Sequence, residues 1–344
     1  MKYVTLGGSG ASVSVMTLGT MTFGRETAPE DSWRQIDDYV AAGGNVIDTA
    51  DSYGAGASEE IVGDWLQRAP GRLRDDLVLA TKGRFPTGPG PNSLGLSRKH
   101  LSAALDASLT RLRVETIDLY QLHSWDPHTP VDETLRFLDD AVTAGKIHYI
   151  GISNVTGWQL ERFAHRAAAF ASLPLVALQT QYNLLSREVE WEVVPAAVAN
   201  DVAVMPWSPL AGGWLTGKYR ADVGPGSGTR LAESAASAMN AYERRRQAQL
   251  TWDVIAEVRR IAQARGASLA QVAIRWLLDR AAVTSVVLGA RTSGHLADNL
   301  AALELELDDD ERSALDRVSA PEAPDYPYGE LGLEQRTRRL DGGR

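Results

Sequence analysis

The sequence predicts an α/β protein folded as one (β/α)8 barrel, the TIM-barrel architecture, and three observations carry that expectation. Short, continuously apolar runs such as Leu77-Val78-Leu79-Ala80 and Val202-Ala203-Val204-Met205 recur along the chain, as expected of parallel strands buried on both faces. Each is followed by a segment with helical spacing of its apolar residues, and there are eight such units. No G-x-G-x-x-G follows the first run, so the runner-up, an open doubly wound sheet, lacks its usual dinucleotide loop.

The elements follow in order. Tyr3-Val4-Thr5-Leu6, a turn at Gly7 to Gly10 and Ser12-Val13-Ser14-Val15 read as a β-hairpin that flows into a strand, Val15-Met16-Thr17-Leu18, stopped by Gly19. Helices are predicted near 30–42, 58–68, 97–112, 131–144, 156–171, 187–199 and 249–280. They alternate with strands near 44–48, 77–81, 117–121, 147–151, 176–180, 202–206 and 284–288. Residues 83–96 and 208–245 read as long loops on the C-terminal side of strands, where barrel enzymes keep their active sites. Residues 1–320 form the barrel, with a last helix near 308–318; 321–344 form a tail whose end, Gln335 to Arg344, is expected to be mobile.

Composition narrows the function classes. The 344 residues are 44% apolar and 23% charged, ordinary for a globular enzyme and within the range of a single barrel. A net charge of -9 speaks against non-specific nucleic-acid or anionic-membrane partners, so an anionic ligand needs a local basic pocket. The absence of cysteine excludes disulfides, thiolate nucleophiles and Cys-ligated zinc. No stretch approaches the ~18 apolar residues of a membrane helix, and the N-terminus has no signal-like apolar region, so the cytoplasm is the expected location.

The chemistry sits at the strand ends. Asn45-Val46-Ile47-Asp48 is an apolar run ending in a carboxylate, with Tyr53-Gly54 five residues on; Lys82 ends Leu79-Ala80-Thr81-Lys82, and His123 follows Tyr120-Gln121-Leu122. In a parallel barrel, three ionisable residues on consecutive strand ends, together with Tyr53, converge on one pocket. A tyrosine titrates near ~10 in water, too high to handle an alcohol proton efficiently at neutral pH. An adjacent lysine ammonium lowers that value, a carboxylate keeps the lysine charged, and a histidine can orient a carbonyl oxygen. The set offers a proton donor and an oxyanion site, with no nucleophile and no metal-ligand spacing.

Asp48, Tyr53, Lys82 and His123, in this order on these strands, resemble the catalytic tetrad of the aldo-keto reductases. Further motifs carry the resemblance along nearly the whole chain: Leu18-Gly19-Thr20-Met21-Thr22-Phe23-Gly24, Gly151-Ile152-Ser153-Asn154, Gln179-Thr180-Gln181-Tyr182-Asn183, Trp207-Ser208-Pro209-Leu210 and Leu288-Gly289-Ala290-Arg291. The resemblance implies a barrel closed at its bottom by the N-terminal hairpin, and reduction of aldehydes and ketones with NADPH.

It also implies site residues. Asp48 and the Gly19, Thr20 and Met21 segment border the cofactor, and Ser153, Asn154 and Gln179 match positions that hydrogen-bond the nicotinamide carboxamide. Trp207 matches the aromatic that stacks on the ring, while Ser208, Pro209, Leu210 and Gly212 resemble the loop under the pyrophosphate. Lys218 looks like a phosphate-neutralising lysine. Gly289, Arg291, Asp298 and Asn299 match contacts to the 2′-phosphate and adenine, and Arg291 suits a phosphate through its bidentate guanidinium. Arg230 is placed over the adenine. At His295 the chain departs from the family, which usually carries Arg or Gln there, so that contact is weaker or pH-dependent.

The substrate is expected to be a small carbonyl compound. Phe23 and Trp125 would wall the pocket beside Tyr53 and His123, with Trp214, Tyr326 and Tyr328 further aromatic candidates; such walls suit aryl or sugar-like compounds. Segments Thr81-Lys82-Gly83-Arg84-Phe85-Pro86 and Gly95-Leu96-Ser97-Arg98-Lys99-His100 resemble bacterial members near the aryl-alcohol dehydrogenases. Some barrels of this family are instead redox-sensing subunits of ion channels, which makes an NADP-binding regulatory subunit the alternative. Oligomeric state stays open, with Trp158 and Trp191 as candidate interface residues.

Overall fold

A computed structural model describes residues 1–69, 71–169, 175–221 and 236–336. The N-terminal hairpin pairs β1 (Tyr3–Thr5) with β2 (Ser12–Ser14) antiparallel, Val4 opposite Val13. Eight parallel strands follow: β3 (Met16–Gly19), β4 (Val46–Asp48), β5 (Val78–Gly83), β6 (Ile117–Leu122), β7 (Ile147–Ser153), β8 (Leu175–Gln181), β9 (Ala203–Trp207) and β10 (Val286–Gly289). Their order is β10-β3-β4-β5-β6-β7-β8-β9, and a parallel bridge between Val204 and Val283 brings the two ends of the sheet together. The eight strands form the predicted (β/α)8 barrel.

The helices wrap the strands: α1 (Pro29–Ala41), α2 (Ala57–Arg68), α3 (Gly71–Asp76), α4 (Arg98–Leu112), α5 (Val131–Thr143), α6 (Gly157–Ala168), α7 (Val193–Ala199), α8 (Ala236–Gln247), α9 (Gln249–Arg265), α10 (Leu269–Leu278), α11 (Ser293–Leu300), α12 (Asp309–Val318) and α13 (Glu330–Arg336). Three expectations change. The helix predicted over 249–280 is two, because Gly266 turns left-handed at φ 62 and Ser268 starts α10 with a capping box. The 187–199 segment is a 3-10 turn, Glu188–Glu190, followed by α7. Residues 236–245 of the long loop belong to α8, and Gln335 and Arg336 form the end of α13; 222–235, with Arg230, and 337–344 lie outside the described residues.

Side chains alternate across each strand, and the inward column explains why the site lies where it does. At the bottom, Val46, Val78, Leu119, Val176, Ala203 and Val287 pack with Leu6 and Val13 of the hairpin into an inner core. Gly8 N–H donates to Asp201 O at 2.7 Å and fastens the hairpin turn below β9. Two or four residues further along the same inward columns come Asp48, Lys82, Gln121, His123 and Trp207. The apolar plug fills the lower part of the barrel, and the ionisable groups of these columns gather at its C-terminal mouth. Outward-facing residues, among them Ile47, Leu79, Tyr120, Ile150 and Leu178, form the larger core against the helices. Among the described residues no helix is long and apolar enough to cross a membrane.

Candidate active site

Asp48, Lys82 and Gln121 meet inside the barrel because their strands are in register: Asp48 lies opposite Ala80, and Lys82 opposite Gln121. Lys82 is 0% exposed and Asp48 1%. The Lys82 ammonium donates to Asp48 Oδ2 at 2.6 Å, to Thr49 O at 2.7 Å and to the Tyr53 hydroxyl oxygen at 3.4 Å. Burial alone would drive the Lys82 pKa down, but the charge of Asp48 reverses this and holds it above the ordinary lysine value. The ammonium stays charged.

Asp48 Oδ1 accepts from Gln121 Nε2 and Gln179 Nε2, both at 2.9 Å. Gln121 fits because Gly151, its register partner on β7, has no side chain: a Cβ there would lie 2.9 Å from Gln121 Cγ. The carboxylate thus has three donors, and Gln179 braces Asp48 rather than standing apart from it.

Tyr53 opens a 3-10 turn, Tyr53–Gly56, and is half-buried. His123, 7% exposed, sits edge-on to the Tyr53 ring at 5.7 Å and to Phe85 at 4.5 Å. Burial, aided by the positive charges of Lys82 and Arg84, pushes His123 down to about 2, so its imidazole is neutral at physiological pH. Its Nδ1 is buried and has no hydrogen-bond partner among the described residues. A second buried layer lies behind the Tyr53 loop: Glu59 accepts from Thr81 Oγ1 at 2.5 Å and from Arg111 Nε at 2.8 Å. Asp51, 3% exposed, joins it; burial and the Glu59 charge push its carboxyl up to about 7. Sequence reasoning assigned no site role to Gln121, Arg84, Phe85 or this layer, although Gln121 interrupts an otherwise apolar strand two residues before His123.

Several residues expected to hold a cofactor follow the C-terminal ends of β7 and β9. Asn154, left-handed at φ 54, donates to His123 O and Ser153 Oγ, each at 2.9 Å, and accepts from Trp207 Nε1 at 3.1 Å. Beyond Trp207 the backbone turns through positive φ at Ser208, Ala211, Gly212 and Gly213. Ser208 Oγ accepts from Gly212 N–H at 3.1 Å, and Pro209 and Leu210 lie within the turn. A Cβ on Gly213 would sit 2.5 Å from Lys218 Nζ, so this ammonium lies directly against the turn. An exposed glycine at 212, the Lys218 ammonium and the half-buried Trp207 indole are compatible with a dinucleotide's phosphates and ring.

Thr20 N–H and Oγ1 both bond Asp48 O, at 3.0 and 3.1 Å, fixing the Gly19 to Met21 segment beside the carboxylate. At the far end, Gly289 and His295 are exposed, and Arg291 pairs with Glu26. Asn299 Nδ2 donates to Gly289 O at 3.4 Å. Asp298 accepts from Ser268 Oγ at 2.9 Å and Gln271 Nε2 at 2.7 Å, tying α11 to the start of α10.

Two expected wall residues are elsewhere. Phe23 is 0% exposed, because the tight turn of residues 22–27 carries its ring into the core. Trp214, 2% exposed, packs with Tyr219, Tyr242 and Trp252. Trp125 is half-buried and edge-on to Trp158 at 5.5 Å, its carbonyl accepting from Arg84. Tyr328 stacks on Trp191 and bonds Glu192, pinning the start of the tail to the chain before α7, and Tyr326 is exposed.

A barrel whose mouth gathers a buried ammonium–carboxylate pair, a tyrosine hydroxyl and a neutral imidazole can polarise a carbonyl oxygen and deliver a proton to it. The chain belongs to the aldo/keto reductase family, whose model matches residues 15–320. It is 38% identical to an uncharacterized oxidoreductase, YrpG, of Bacillus subtilis over 90% of this chain and 93% of that protein. It is 32% identical to the versiconal hemiacetal acetate reductase of Aspergillus parasiticus, over 94% and 98%. It is 34% identical to a probable voltage-gated potassium channel subunit beta of Arabidopsis thaliana, over 89% and 92%. Membership supports an oxidoreductase acting on carbonyl compounds, in a family that generally uses NAD(P)H.

Proposed function

We propose that the protein is an NADPH-dependent reductase that converts an aldehyde or ketone to its alcohol, with Tyr53 as general acid. The observation that carries this reading is the fully buried Lys82 ammonium, 2.6 Å from Asp48 and 3.4 Å from the Tyr53 hydroxyl. When bound, the reduced nicotinamide supplies a hydride to the carbonyl carbon. The Tyr53 O–H gives its proton to the carbonyl oxygen, and Lys82 stabilises the phenolate this leaves. An ammonium can only donate, so the Tyr53 oxygen accepts from Lys82 and its proton remains for the substrate. Asp48 holds Lys82 in place; His123, neutral, orients the carbonyl oxygen by a hydrogen bond.

Ser153, Asn154 and Gln179 hold the carboxamide end, Trp207 stacks on the ring, Ser208 to Gly212 with Lys218 receive the pyrophosphate, and Arg291 receives the 2′-phosphate. Asp298 serves the adenine end mainly by positioning α11. Tyr53, Phe85, Trp125 and Trp158 give the mouth an aromatic character that favours aryl, sugar-like or natural-product carbonyls.

Titration with NADPH and NADH, followed by tryptophan quenching, and a screen of aryl aldehydes, ketones and keto-sugars test the reading. Binding of NADPH with turnover of at least one carbonyl class is expected. Failure to bind either cofactor would sink it. The likeness to the channel subunit favours one second reading, a cofactor-binding regulatory subunit, which predicts binding with negligible turnover across the whole screen.

A further inference from the structure

Arg291 is already engaged by an acid of this chain. Its Nε donates to Glu26 Oε2 at 2.7 Å, with the two side chains 31% and 21% exposed. Glu26 is no loose surface arm. The turn after β3 is held by Glu26 N–H and Thr27 N–H, which both donate to Thr22 O, at 2.9 and 3.0 Å. The same turn is stitched to the segment that carries Arg291: Thr22 Oγ1 donates to Ala290 O at 3.0 Å, and Thr27 Oγ1 to Arg291 O at 3.3 Å. Thr22 and Thr27 are both buried, so backbone and hydroxyl bonds hold the main chain that carries Glu26 against the segment of Arg291.

We propose that Glu26 sets the cofactor preference of this site: its carboxylate competes with the 2′-phosphate for Arg291, weakening NADPH specifically and leaving NADH usable. The proposal rests on the nicotinamide reading given above. A guanidinium whose charge is balanced by a carboxylate attracts a phosphate dianion less than an unpaired one, and the carboxylate itself repels the dianion. NADH has no phosphate at that position and does not register the competition. The ribose and adenine surfaces are common to both cofactors, so the difference between them isolates the effect.

The test measures equilibrium binding, without substrate, for the wild type and Glu26→Gln, which keeps shape and removes charge. NADPH and NADH are titrated by tryptophan quenching, and adenosine 2′,5′-bisphosphate and 5′-AMP by competition, which confines the readout to the adenine end. Glu26→Gln is expected to tighten NADPH and the bisphosphate about fivefold and to leave NADH and 5′-AMP within about twofold. Glu26→Ser is expected to shift binding in the same direction, and thermal unfolding of both free variants confirms that they are folded. NADPH binding that weakens, or a ratio of NADPH to NADH affinity that stays within twofold of wild type, overturns the proposal, the first result showing that Glu26 merely holds Arg291 in place. If the wild type binds neither dinucleotide, the nicotinamide reading falls and the proposal with it; two dinucleotides bound with an unchanged ratio overturn the proposal alone.

Discussion

Replacing Lys82 by Met exposes how strongly the site is built on one buried ion pair. Lys82 and Asp48 are both almost wholly buried, and each carries more than the other as a partner: the ammonium has Thr49 O at 2.7 Å, and the carboxylate has the amides of Gln121 and Gln179 at 2.9 Å. Removing one partner of a buried pair costs about 3–5 kcal/mol, because the remaining charge is left uncompensated. Lys82→Met should fall near the lower end, about 3 kcal/mol, since two amide donors still stabilise Asp48. Asp48→Asn should cost more, about 4 kcal/mol, because Lys82 retains only oxygen dipoles. The double variant removes both charges at once and should be less destabilised than the sum of the two by at least about 2 kcal/mol. Urea unfolding at pH 7, followed by tryptophan fluorescence, measures all four proteins. Additivity within about 0.5 kcal/mol refutes the reasoning, for it would mean that the two charges do not depend on each other.

Two further outcomes follow from the buried layer behind Tyr53. Asp51 holds its proton up to about 7 in the folded chain but ionises near ~3.9 when unfolded, so the stability it confers is complete below pH ~4 and is lost as pH rises through 7. Asp51→Asn should therefore unfold at higher temperature than wild type at pH 8, by up to about 4 kcal/mol of stability, and much less so at pH 4.5; a difference in Tm that does not grow with pH contradicts this. The Tyr120 hydroxyl is fully buried and has no hydrogen-bond partner among the described residues. Tyr120→Phe should leave stability unchanged or raise it by up to about 1 kcal/mol in the same urea assay, and a clear loss would show that the hydroxyl has a partner in solution.

The fold was legible because the inward column of each strand changes character along its length. Val46 and Asp48, or Val78, Ala80 and Lys82, read as an apolar strand ending in a polar group, and the eight strand–helix units define a barrel with its chemistry at one end. Asp48 and Lys82 were legible for the same reason, and their meeting is a consequence of register. Long-range burial was less accessible. Gln121 becomes part of the site only because Gly151 makes room for it, and Phe23 leaves the pocket because a turn of six residues points its ring inward. The break at Gly266 hid inside a continuous helical period, since one glycine next to a capping serine outweighs the spacing of apolar residues on either side. Arg291 looked like a phosphate ligand, but no local pattern shows that Glu26, far away in sequence, stands against it.

The most direct test of the account is single-turnover carbonyl reduction by Tyr53→Phe, loaded with NADPH and followed by nicotinamide absorbance. The account predicts a rate reduced by roughly 10²–10⁴-fold, the usual contribution of a general acid, with NADPH affinity unchanged because only the hydroxyl is removed. A variant that turns over at the wild-type rate would contradict it and move proton donation to another residue.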